Sequence, residues 1–185
     1  MCQAPLKEPT GMDLVYGPEE IARAVSRIGA RIDTDFAGLV SQRDRLLVLG
    51  VLNGAFVFMA DLIRSITLPL EVDFIRVSSY EDRTDSSQEV VLLKAPERPV
   101  EGRHVLVVED IADCGLTLRW LLGYLASKAP ASIRTAVLVD KRERRESPLS
   151  LDYTGFVSGG GFLVGYGLDY ARNYRGLAGI YSLHF

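Results

Sequence analysis

Three observations in the sequence predict an α/β fold, a mainly parallel twisted sheet flanked by helices. Apolar runs of strand length alternate with stretches whose apolar residues recur at helical spacing. Several of those runs are apolar at every position, the pattern of strands covered on both faces. Chemistry-bearing residues then recur just past the runs, at Asn53-Gly54, Glu109-Asp110 and Lys141. Open α/β sheets bind ligands beyond the carboxyl ends of their strands, so these groups are aimed at one rim.

In chain order, residues 1–15 read as a loose N-terminal segment. Gly17-Pro18-Glu19-Glu20 opens a helix with Pro and acids in its first turn, and Ile21, Val25, Ile28 and Ile32 form its apolar stripe. Leu46 to Leu52 is a continuous apolar strand that Gly54 ends, and Ala55 to Ile66 reads as helix. Val72 to Val77 is the next strand. The segment 79–89 is polar and aperiodic, which predicts a long exposed loop; such loops are uncommon inside compact domains and are often functional. Val90 to Leu93 and Val105 to Val108 are strands on either side of a turn from Pro96 to Gly102. A helix follows Thr117, then a strand from Thr135 to Val139. Short β segments are expected near 153–156, 162–164 and 179–183.

A chain of 185 residues, 48% apolar and 24% charged, fits one globular domain (1–185) with enough length to bury a core. Its net charge of −3 argues against nonspecific nucleic-acid binding, which needs a broad basic surface. Any anionic substrate must be held locally, by Lys, Arg, backbone amides and metal. No apolar run approaches the roughly 18 residues of a membrane span, and the first residues lack the apolar core of a signal peptide. No membrane partner is therefore expected. Cys2 and Cys114 cannot staple a chain of this size, and a cytoplasmic, reducing location is expected. His104 and His184 are too isolated to argue for zinc.

The segment from Val105 to Thr117 carries the most information. An apolar strand is followed by two adjacent carboxylates, Glu109 and Asp110, then by Asp113-Cys114-Gly115-Leu116-Thr117, then by a stretch with helical spacing. A strand that empties through a small-residue loop into a helix N-terminus is built to hold phosphate, because the loop amides and the helix dipole both favour an anion. The carboxylates would repel that phosphate, so they suit sugar hydroxyls or a divalent metal. In an extended segment neighbouring side chains diverge, so both acids reach one ribose only where the strand has ended. Taken alone, the loop reads equally well as an ordinary βα turn with Thr117 as the helix N-cap.

With Val51-Leu52-Asn53-Gly54-Ala55-Phe56, Val77-Ser78-Ser79-Tyr80, Leu138-Val139-Asp140-Lys141 and Val164-Gly165-Tyr166-Gly167-Leu168-Asp169-Tyr170 in this order, the chain resembles the type I phosphoribosyltransferases from about Tyr16 onward. Within them it is similar to the hypoxanthine-guanine branch. The resemblance implies the family fold, with a small hood subdomain built from the chain ends. It implies transfer of the 5-phosphoribosyl group from phosphoribosyl diphosphate to a 6-oxopurine, and Mg²⁺ as cofactor. Residues 113–117 would form the 5′-phosphate loop, with Thr117 donating its hydroxyl. Glu109 and Asp110 would hold the ribose hydroxyls, partly through Mg²⁺, with Asp169 as a further metal contact. Asp113 is placed near N7 of the purine as proton acceptor or donor. Lys141 would donate to the 6-oxo group, Phe162 would stack on the base, and Leu163 and Asp169 would meet its polar edge. Leu52, Asn53 and Gly54 would form the pyrophosphate loop, with a non-proline cis peptide between Leu52 and Asn53, helped by Arg145 and Arg175. Ser79 and Tyr80 would open a lid spanning 79–89. The family habit is a homodimer or homotetramer.

The chain departs from that pattern at several positions. Asn53 stands where Lys is usual, Glu81 where Gly is usual, Cys114 where Thr or Ser is usual, and Ala112 where a larger aliphatic is usual. Ser158-Gly159-Gly160-Gly161 replaces a segment that normally holds Pro and charged residues. A non-catalytic regulator that binds nucleotide or phosphoribosyl diphosphate on the same fold is the competing class. The presence of Asp113 and Lys141 weighs against it, since a phosphate sensor needs neither. A nucleotide-hydrolysing α/β protein is disfavoured because the chain has no G-x-x-x-x-G-K-[ST] loop.

Overall fold

The computed structural model describes residues 7–80, 89–144 and 149–185. Its elements are, in order, β1 (Gly11–Tyr16), α1 (Pro18–Phe36), β2 (Leu46–Leu52), α2 (Phe56–Ser65), β3 (Leu70–Tyr80) and β4 (Glu89–Lys94). There follow β5 (His104–Ala112), α3 (Leu116–Ala126), β6 (Ser132–Asp140), a single 3₁₀ turn (Arg142–Arg144), β7 (Tyr153–Val157), β8 (Phe162–Val164) and β9 (Ile180–His184). The central sheet has the order β4-β3-β2-β5-β6-β7. Every neighbouring pair in it is parallel except β3 with the edge strand β4.

The all-apolar run of β2 has a direct cause. Leu46 and Val48 face α1 and α2, packing with Ile28, Ile32, Phe58 and Leu62, while Leu47 and Leu49 face α3, packing with Leu118, Leu121 and Leu125. Both faces are dry, so no position tolerates a polar residue; each such side chain contributes about 1.5–3 kcal/mol by leaving water. The α1 stripe predicted from spacing is buried as expected, and the Gly17 amide that opens this helix donates to Glu20 Oε2 at 2.9 Å. Among the described residues no helix is long and apolar enough to cross a membrane.

Three expectations are corrected. Residues 1–15 are not uniformly loose, because Gly11 to Tyr16 form β1, paired antiparallel with β9. A second sheet, order β1-β9-β8, is thereby made from segments near both ends of the chain. In its first strand Met12 and Leu14 stay 45% and 56% exposed, so that strand buries no continuous apolar face. Ser79 and Tyr80 do not begin a loop: the β3 backbone runs through them, and Glu89 already belongs to β4. The side chains of Ser79 and Tyr80, and residues 81–88 with Glu81, lie outside the described residues. Finally, β5 does not end before the acid pair. It continues to Ala112 because β6 carries on pairing with it, Glu109 opposite Val137 and Ala112 opposite Asp140.

Candidate active site

Three strand ends, two of them leading into helices, meet at the carboxyl end of the sheet. At the first, β2 ends in a cis peptide between Leu52 and Asn53, where it was expected, and Ala55 then caps α2. Asn53 is exposed, and Gly54 lies against the second junction. A Cβ at Gly54 would sit 1.6 Å from Asp110 Oδ2, so only glycine lets this turn lie on the carboxylate. Gly54→Ala is expected to push Asp110 aside and raise KM for the phosphorylated substrate about tenfold, with little change for the second substrate; initial rates with each substrate varied check this.

At the second junction Glu109 and Asp110 sit inside β5, yet they remain electrostatic neighbours. The Asp110 amide donates to Glu109 Oε1 at 3.3 Å, and the Ile111 amide donates to Asp110 Oδ1 at 2.9 Å. Burial first, and then the adjacent Asp110 charge, push the Glu109 carboxyl well up. Burial also raises Asp110, against the hydrogen bonds it receives and the charge of Arg175. A divalent cation would relieve that repulsion. Among the described residues no group of three or more His, Cys, Asp or Glu is placed to hold an ion. A pair of carboxylates is what Mg²⁺ takes from a protein when water and substrate oxygens complete its shell, so the residues fit such an ion.

The loop beyond the acids delivers α3. Gly115 is its N-cap with φ of 82°, a left-handed backbone that favours glycine, and Thr117 lies within the first turn rather than capping it. Among the described residues no side chain caps this terminus, and its first hydrogen bond runs from the Arg119 amide to the Gly115 carbonyl at 2.9 Å. The amides at the start of the helix thus lack intrahelical partners, the arrangement that receives a phosphate. Cys114 is half-buried in the same loop.

Lys141 leaves β6 at the third junction and is 3% exposed. Its Nζ donates to the Gly161 carbonyl at 2.9 Å and lies 3.5 Å from Asp113 Oδ2. The phosphate loop and the lysine, 28 positions apart in sequence by their numbers, are therefore in contact. Of the charge run that follows, Arg142 pairs with Asp140 at 3.0 Å, while Arg145 lies outside the described residues.

The second sheet supplies the rest. Phe162 opens β8 with its ring partly exposed, directly after the glycine whose carbonyl Lys141 holds, and Leu163 is buried beside it. Asp169 does not cluster with Glu109 and Asp110. Its carboxylate is ion-paired with Arg175 and accepts the Arg172 amide at 2.8 Å. Arg175 also donates to the Gly167 carbonyl, and its charge acts on Asp110 across the gap between the sheets. Gly167, one of several described residues where the two sheets meet, is named in the sequence only within the Val164 to Tyr170 motif and without a role of its own. It has φ of 101°, and a Cβ there would lie 2.2 Å from the Gly54 carbonyl. Its only sequence signal is the Gly165-Tyr166-Gly167 spacing.

A phosphoribosyl transferase domain model matches residues 17–171. The chain is 43% identical over 164 residues to the hypoxanthine-guanine phosphoribosyltransferase of Bacillus subtilis, covering 89% of this chain and 88% of that one. It is 40% identical over 166 residues to the enzyme of the same name from Mycobacterium avium, covering 89% and 82%. Among solved structures, a ternary substrates complex of the Trypanosoma cruzi hypoxanthine phosphoribosyltransferase superposes with a TM-score of 0.88 at 39% identity, covering 92% of this chain and 94% of that one.

Proposed function

The chain belongs to the phosphoribosyltransferase family, and from that premise we propose how its residues divide the work of purine salvage. The reaction moves the 5-phosphoribosyl group from phosphoribosyl diphosphate to N9 of a 6-oxopurine, hypoxanthine or guanine, and yields IMP or GMP with pyrophosphate. The observation that carries the assignment of roles is the 3.5 Å contact between Asp113 and Lys141. A phosphate-loop acid and a buried cation that lie side by side suit the adjacent N7 and 6-oxo positions on one edge of a purine.

In this reading the amides of residues 114–117 and the Thr117 hydroxyl hold the 5′-phosphate at the head of α3. Glu109 and Asp110 hold the ribose hydroxyls and, with substrate oxygens, Mg²⁺. When bound, the ion offsets the charge of the departing pyrophosphate. Asp169 is the third expected metal contact; in the structure its carboxylate belongs to Arg175. Leu52, Asn53 and Gly54 with Arg175 face the pyrophosphate, and Arg145 is assigned there from the family pattern. Lys141 donates to the 6-oxo group, exchanging the Gly161 carbonyl for that of the base. Asp113 takes or gives the N7 proton, and Phe162 stacks on the ring. Backbone groups of Leu163 and Asp169 meet the base's polar edge. Charge develops on an oxocarbenium-like ribose, so positioning and charge stabilisation dominate the barrier, and proton transfer is secondary. The segment that follows β3 is assigned, from the family pattern, to excluding water from that cation. The working form is a homodimer or homotetramer in the cytoplasm, handling small molecules and neither nucleic acid nor membrane.

The test is pyrophosphate release from phosphoribosyl diphosphate and Mg²⁺ with hypoxanthine, guanine, xanthine or adenine supplied separately. Release with 6-oxopurines and not with adenine is expected. Turnover with adenine as well would remove the selective role from Lys141.

A further inference from the structure

Phe162, assigned above to the base, has a ring that is 41% exposed and a chain before it that offers no side-chain support. Gly159, Gly160 and Gly161 precede it, and Gly161 has φ of 79°. What orients the ring comes from elsewhere. Tyr170 lies with its centroid 5.1 Å away at 80° to the Phe162 plane, and Phe185 lies 6.1 Å away at 88°. These two rings are in turn 5.2 Å apart at 64°, so the three close a triangle of edge-to-face contacts, the favoured geometry for aromatic quadrupoles.

Each supporting ring is itself tied down. The Tyr170 hydroxyl donates to the Lys7 carbonyl at 2.9 Å. Phe185 follows β9, whose register sets Phe162 opposite Leu183, so Phe185 is the same-face diagonal neighbour two residues further along. Just beneath, His184 Nε2 is 2.8 Å from Asp13 Oδ2 on β1, which fixes the end of that strand. Both rings thus reach Phe162 from segments anchored to other parts of the hood, bypassing the glycine run.

We propose that Tyr170 and Phe185 are positioning residues for the purine: they hold the Phe162 ring in the orientation that stacks on the base. The proposal rests on the assignment of Phe162 to the base. Neither ring is given a contact with the reacting atoms. A ring left free to rotate after a triglycine run must be ordered at the moment of binding, which weakens affinity for the base alone. A ring already ordered by its neighbours spares that loss.

The experiment is steady-state kinetics with each substrate varied in turn. Phe185→Ala is expected to raise KM for hypoxanthine about three- to tenfold, the range of one aromatic pair, with kcat and KM for phosphoribosyl diphosphate held within about twofold. Phe185→Tyr, which keeps the ring, is expected to restore the wild-type KM. A general fall in kcat, or an equal rise in both KM values, would show that Phe185 only supports the fold and would overturn the proposal. So would an unchanged KM for hypoxanthine. A second measurement is independent of turnover. Phe185→Trp in a Trp120→Phe background, which removes the single native tryptophan, should change its emission when IMP is added and not when pyrophosphate is added. No response to IMP counts against the proposal. A wild-type protein that releases no pyrophosphate with any purine would fail the base assignment itself, which an active wild type with an indifferent Phe185→Ala does not.

Discussion

Lys141→Ala is expected to lower kcat/KM for hypoxanthine and guanine by about 30- to 160-fold, equal to the roughly 2–3 kcal/mol of a hydrogen bond from a charged donor. The reason is the burial of the ammonium. At 3% exposure it has lost its water, and its protons are directed to the Gly161 carbonyl and toward Asp113. A base carbonyl that enters this site meets a donor already desolvated and aimed. Adenine presents an amino group there instead, which leaves the buried ammonium facing another donor. Discrimination between 6-oxopurines and adenine should therefore shrink along with rate. Lys141→Arg should not rescue it, because a planar guanidinium does not fit a pocket shaped around a point charge. Side-by-side kcat/KM values for hypoxanthine and adenine settle the matter; equal losses for both bases would mean that Lys141 serves the pocket's shape and not its selectivity.

Glu109→Gln should make the metal-free protein more stable at neutral pH and far less active. Burial, and then the charge of Asp110, hold the Glu109 carboxyl well above its ordinary value in the fold. The folded state therefore keeps a proton that the unfolded chain releases above about pH 4.3. Stability falls wherever the folded state binds more protons, so wild-type Tm should decline as pH rises above that value, until Glu109 ionises in the fold. The glutamine variant lacks this penalty. The two melting curves should coincide near pH 4 and separate above it, with the variant higher, in thermal scans run in EDTA. In activity the same change removes one of two carboxylates from the ribose and metal position. A loss of about 100-fold in kcat/KM for phosphoribosyl diphosphate is expected, the upper end of what even an outer partner of a metal site is worth. Parallel Tm–pH profiles for wild type and variant would show that the pair is not strained by its burial.

The strands and helices that build the sheet were legible because their burial is two-sided. A run such as Leu46 to Leu52 cannot be apolar at every position for any other reason in a chain of this composition, and the α1 stripe has one spacing only. β1 was not legible. Its pairing partner, β9, lies at the far end of the sequence, and Met12 and Leu14 stay exposed, so the short apolar stretch from Met12 to Tyr16, interrupted by Asp13, is too brief to separate from a loop before that pairing is known. The extension of β5 through Glu109 and Asp110 escaped for a related reason. Polar residues read as the end of a strand, whereas here the neighbouring β6 continues the ladder past the point where β2 stops pairing with β5.

The same division runs through the active site. Short-range chemistry was written in the chain itself: the acid pair, the loop with Gly115 before Thr117, the lysine just past β6, and the Leu52–Asn53 turn are each set by residue type and spacing at the end of one strand. The βα units among them bring their own geometry, since a strand that feeds a helix fixes where the connecting amides point. Contacts between units had no local signature. The charge of Arg175 acting on Asp110, the carbonyl of Gly54 against Gly167, Lys141 resting on Gly161, and Phe185 against Phe162 each join separate elements of the chain. Sequence by itself determined which groups this protein brings to its substrates. The tertiary structure decided which of them meet, because side-chain contacts between elements depend on how two sheets pack, and no periodicity within either sheet encodes that.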